Sequence, residues 1–103
     1  MAETNGQGIT ILPPGDVLDT LSSINEQVTT TVLDPWYNKG VGGLREDYHQ
    51  WLSKVVAAAA QVSEHVFVWG FPEIVYKVLD SLPSGVSLVA WLTWFYPNCP
   101  SVI

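Results

Sequence analysis

The nineteen residues from Gly85 to Ile103 contain no charged side chain. Such a stretch must be taken out of water by lipid, by another protein or by the chain's own core. A membrane-spanning helix needs about 20 apolar residues across roughly 30 Å of hydrocarbon. Pro97 and Pro100 interrupt this stretch, and its helical part, 85–96, is about 12 residues and roughly 18 Å long. That is too short to span alone. Trp91, Trp94, Phe95 and Tyr96 gather at one end of it, as aromatics do at a bilayer interface. The stretch can dip into one leaflet, or pair with a helix over 72–82 as a re-entrant hairpin. Lys77 and Asp80 make that hairpin costly unless protein shields them. Packing against other subunits is the favoured reading, with membrane contact and a monomeric core as the alternatives.

At 103 residues the chain has room for one small domain. Charged residues are 14% of it, against roughly 25% in an ordinary domain. The aromatic load is heavy, with five Trp, four Tyr and three Phe. A small monomer has trouble covering so much apolar surface, which again points to an oligomer, a partner or a membrane.

The net charge of −6 is unevenly spread. Residues 1–38 carry acids and no base; Lys39, Arg45, Lys54 and Lys77 all lie in 39–80. Four scattered cations cannot neutralise a run of phosphates, so nucleic-acid binding is not expected. They also supply no basic face for a helix lying on anionic lipid. Cys99 is the single cysteine and cannot close an internal disulfide. The start, MAETNGQGIT, has neither the basic region nor the apolar run of a secretory signal. Synthesis in the cytoplasm is expected, with a virion or a membrane as later destinations.

Along the chain, residues 1–15 read as an extended arm closed by Pro13-Pro14-Gly15. Val17, Leu21, Ile24 and Val28 recur at helical spacing, with Asp16 and Asp19 in the first turn, and Asp34-Pro35 stops the pattern. This predicts a helix over 16–32, weakened at its end by Thr29-Thr30-Thr31-Val32. Residues 34–43 read as a loop in which Trp36 and Tyr37 serve as anchors. Leu44 to Trp69 repeats apolar residues at helical spacing, including Trp51, and predicts the longest helix, 44–69, ended by Gly70. Pro72 opens a helix over 72–82, and Ser84 caps a last one over 85–96. The expected fold class is all-α: three to four helices in a single helical domain, 16–103, behind the arm.

Candidate chemistry is thin. Glu46 and His49 form one Glu-x-x-His, where a di-iron bundle needs two and further carboxylates. Glu64 and His65 are adjacent and diverge on a helix. Cys99 has no neighbouring base. Gly40-Val41-Gly42-Gly43 lacks the Lys-Ser/Thr ending of a phosphate loop. No catalytic residue, no cofactor and no metal is expected, and the chain is not read as an enzyme.

Phe71-Pro72-Glu73-Ile74, followed by Leu82-Pro83-Ser84-Gly85-Val86 and the apolar aromatic run, resembles parts of the small hydrophobic minor coat proteins of filamentous phages. The resemblance covers a short part of the chain, without the further basic membrane helix, and no residue role is carried over. It implies a structural role in a virion. The expected function is a non-catalytic structural or interaction subunit of a larger assembly. Its partners would be other protein subunits, in a homo- or hetero-oligomer, with lipid as the alternative and no nucleic acid. The expected contact residues are Trp36, Tyr37, Trp51, Trp69, Trp91, Trp94, Phe95 and Tyr96, since Trp and Tyr dominate interface energetics.

Overall fold

The computed structural model describes residues 3–38 and 43–94. They form a mixed α/β arrangement in the order β1 (Glu3–Thr4), β2 (Thr10–Ile11), α1 (Val17–Ser23), β3 (Val28–Leu33), α2 (Tyr48–Val62), β4 (Ser63–Val68), α3 (Pro72–Val75) and a 3-10 helix (Tyr76–Ser81). The all-α expectation is therefore wrong.

The predicted 16–32 helix divides. Asp16 caps α1, its Oδ1 accepting from the backbone N–H of Leu18 at 2.8 Å and of Asp19 at 3.4 Å. The helix ends at Ser23, and Ile24 is already extended. Val28-Thr29-Thr30-Thr31-Val32 then follows its β-branched character into β3. The predicted 44–69 helix divides in the same way. Tyr48 to Val62 are helical, and Ser63 switches to extended backbone and opens β4, Ser63–Val68. In both places the helical spacing of apolar residues continued into a strand; Val28 and Val32, four apart, lie on the same outer face of β3.

β3 and β4 pair in parallel, with Thr30 opposite His65, Thr31 opposite Val66, Val32 opposite Phe67 and Leu33 opposite Val68. α2 is the crossover between them, giving a β-α-β unit. Leu33 and Val66 face the helices, while Val32 and Phe67 face outward, 61% and 51% exposed.

The core is built on one side of α2. Tyr48, Leu52 and Val56 pack with Val78 of the 3-10 helix, and Val55 and Ala59 pack with Leu21 of α1. The spacing of those α2 positions is that of one helical face. Full burial of a side chain such as Leu52 contributes about 1.5–3 kcal/mol. Ala59 is fully buried, and its small side chain sits where α1 meets α2.

The remaining expectations are revised locally. The arm is a short antiparallel hairpin, with Gly8 at φ 82° in its turn. The 72–82 helix is one short α-helical turn followed by the 3-10 helix. Gly70 follows a strand and not a helix; a Cβ there would overlap Val75. Of the predicted 85–96 helix, residues 86–94 are neither helix nor strand, and Gly85 at φ 84° turns the chain instead; residues 95 and 96 lie outside the described residues. No helix among the described residues is long and apolar enough to cross a membrane. Of the motifs that carry the coat-protein resemblance, Pro72–Val75 is helical while residues 86–94 are irregular; nothing in the described fold supports a virion role, and that expectation is withdrawn.

Candidate functional site

In a parallel pair both strands deliver their carboxyl ends to the same side, and the crevice beyond those ends is where α/β sheets bind ligands. Here the ladder runs to the very end, the Trp69 N–H donating to the Leu33 carbonyl at 2.9 Å. Asp34-Pro35-Trp36-Tyr37 and Trp69-Gly70-Phe71 therefore emerge side by side. Pro35 cannot continue a ladder, so the chain leaves the sheet directly after Asp34.

Beside this exit lies an open depression with a volume of about 200 Å3, lined by Val17, Val32, Leu33, Pro35, Trp51 and Val55 around Asp34. Asp34 is the one charged residue in its lining. Its mostly apolar lining with one polar residue follows the composition of small-ligand sites, on a smaller and more open scale. Tyr37 donates its hydroxyl to Asp34 Oδ1 at 2.6 Å, which fixes the orientation of the carboxylate. The Tyr37 ring meets Phe71 edge-on at 5.5 Å, tying the β3 exit to the β4 exit.

The loop is held from below. The Tyr48 hydroxyl, on α2, donates to the Trp36 carbonyl, and the Trp36 ring stands edge-on to Tyr48 at 5.7 Å. Burial pushes the Tyr48 phenol up from its ordinary range. Asn38, at φ 59°, closes the loop: its Oδ1 accepts from the Arg45 N–H at 2.6 Å and its Nδ2 donates to the Arg45 carbonyl at 3.2 Å. The Arg45 guanidinium lies 5.5 Å from the centre of the Trp51 ring and pairs with Asp47. The hydrogen bond from Arg45 lowers the Asp47 carboxyl below the usual carboxylate range.

The sequence-derived contact residues fall into separate groups. Trp36 and Tyr37 sit at the strand exit, and Trp51 forms a half-buried wall of the depression. Trp69 and Trp94 meet edge-on at 5.6 Å. Trp91 and Trp94 are 45% and 65% exposed; Phe95 and Tyr96 lie outside the described residues. Glu46 precedes α2, while His49 is on it and donates from Nε2 to the Ile74 carbonyl at 2.8 Å, a tie between α2 and α3. Among the described residues no group of three His, Cys, Asp or Glu side chains converges. Asp34 is the residue that sequence reasoning missed. As a helix stop it carries no chemistry; as the residue that follows a β-branched strand, it marks the carboxyl edge of a sheet.

Comparison of the chain with protein-family models, with curated proteins and with solved structures finds no match.

Proposed function

We propose that the chain is a binding module whose ligand site is the depression at the carboxyl ends of β3 and β4. The observation that carries this reading is the position of Asp34, a lone carboxylate at a strand exit in an otherwise apolar lining. A carboxylate only accepts hydrogen bonds, so it favours a ligand group that donates, and an aromatic amine combines such a donor with a flat apolar ring. Tyr37 occupies Oδ1 and leaves Oδ2 for that donor. The rest of the lining is apolar, with Trp51 as one wall, which suits a flat ring. The ligand class is thus a planar heterocycle bearing an amino group.

Adenine and purine form the test pair, since they differ by that amino group. Titrating the full chain and following tryptophan fluorescence, adenine is expected to quench saturably. Purine, or adenine on Asp34→Ala, is expected to bind about tenfold more weakly, the equivalent of one hydrogen bond to a charged acceptor. Equal affinities for the two rings, or no saturable quenching, would overturn the reading.

A second reading is supported by an adjoining surface that shares Val32 with the depression. Val28, Val32 and Phe67 are exposed on the outer face of the sheet, and Leu88, Val89 and Leu92 are exposed as well. Parallel strands are ordinarily covered on both faces. Contact with other protein subunits accounts for this uncovered apolar surface.

A further inference from the structure

Residues 86–94, Val-Ser-Leu-Val-Ala-Trp-Leu-Thr-Trp, follow the Gly85 turn without entering any regular element. Leu88, Val89, Leu92 and Trp94 are 52%, 86%, 81% and 65% exposed. Ser87 to Thr93 make no backbone–backbone hydrogen bond among the described residues. β-Branched and aromatic residues with bare backbone groups make an edge that pairs with another chain.

We infer that this segment is a homodimer contact, in which two copies of 86–94 pair as antiparallel strands about a two-fold axis at Ala90. This rests on the protein-contact reading above and not on the ligand site, and it names the partner as a second copy.

One observation permits that partner and a second points to it. The first is charge. The chain carries −6 overall, yet no charged residue follows Asp80. Two copies carry the same net charge and repel elsewhere, so a contact between copies is compatible with this uncharged segment, where no like charges are brought together. The second is the pattern of the segment under two-fold pairing. With Ala90 on the axis, Val86 faces Trp94 of the other copy, Ser87 faces Thr93, Leu88 faces Leu92 and Val89 faces Trp91. These are the aromatic–β-branched, aliphatic and hydroxyl–hydroxyl pairs that stabilise neighbouring strands. Displacing the register by one or two residues sets Ser87 or Thr93 against an apolar residue. The contact is isologous, so it closes at two copies. Trp94 keeps its edge-on contact with Trp69 of its own chain. A single strand pair is small and belongs with the weaker, reversible interfaces.

Sedimentation velocity of the full chain over a dilution series is the test. The expected result is a reversible monomer–dimer equilibrium with a ceiling at twice 11.3 kDa. Leu88→Lys and Leu92→Glu each change both symmetry-related Leu88–Leu92 pairs at exposed positions and are expected to weaken the dimer about tenfold or more. Combined in one chain, the two substitutions set the introduced ammonium of each copy opposite the introduced carboxylate of the other, and the dimer is expected to recover. Circular dichroism of each variant reports that the monomer is intact. A monomer at every concentration, growth beyond two copies, unaffected single variants or an unrecovered double variant would each overturn the inference. Adenine quenching measured on the same variants separates the two surfaces: its retention in a dimer-deficient variant leaves the ligand site standing.

Discussion

Tyr48→Phe tests how the Asp34–Tyr37 loop is held. The ring of Tyr48 is fully buried among Leu52, Val56 and Val78, and phenylalanine retains that packing. What is lost is the hydroxyl that donates to the Trp36 carbonyl. The net value of such a bond is about 0.5–1.5 kcal/mol, and the carbonyl left behind adds a desolvation cost, so a loss of about 1–2 kcal/mol is expected. For a domain of this size each kcal/mol moves Tm by about 4–8 °C. The pH dependence supplies a second readout. The folded Tyr48 pKa is raised above the unfolded value of roughly 10. Its protonated form is the one the fold favours, so its contribution is fully present below the unfolded pKa and is lost as pH rises through the folded pKa. Phenylalanine has no proton to lose, so the deficit of the variant should narrow above about pH 10. Urea unfolding at neutral and alkaline pH measures both quantities. Tyr76→Phe, at a 49% exposed position, is the control and should stay within about 0.5 kcal/mol of the parent. No deficit at neutral pH, or a deficit unchanged by alkali, would refute the reasoning.

Asp16→Ala removes the carboxylate that caps α1, and a loss of about 0.5–2 kcal/mol in urea unfolding is expected; an unchanged midpoint would show the cap to be idle. Gly70→Ala places a Cβ against Val75. The β-branched valine has little room to yield, and a cost of about 1–3 kcal/mol is expected in thermal unfolding, with relief in the double variant Gly70→Ala, Val75→Ala if the overlap is the cause.

The sequence made some elements legible and concealed others for a physical reason. The start of α1 is marked by Asp16, the middle of α2 by its apolar face, and α3 by Pro72, all local signals of helix geometry. The two strands are concealed because each follows a helix with little or no loop. Val62 and Val66 continue the helical spacing of α2, so the change of period at Ser63 is invisible in the apolar positions alone. The β-branched run Thr29–Val32 does carry a warning. Taken by itself it reads as a weak helix end, and pairing with β4 makes it a strand. The aromatic anchors Trp36 and Tyr37 stand out in the sequence as residues of interest, but their setting depends on the parallel pairing. Asp34 gains its meaning only when its neighbour becomes a strand end. The pairing of Leu33 with Val68, far along the chain, is long-range information that periodicity cannot supply.

The most direct measurement of the central claim is an amide-resolved NMR titration of the full chain with adenine and, separately, purine. Saturable adenine-induced shifts are expected at the amides of Leu33, Asp34, Trp36 and Tyr37, at Trp51 and at 69–71, the groups around the strand exits, with weaker effects from purine. Shifts of equal size from both rings, or shifts confined to the outer sheet face and to 86–94, would contradict the placement of a ligand site at the carboxyl ends of β3 and β4.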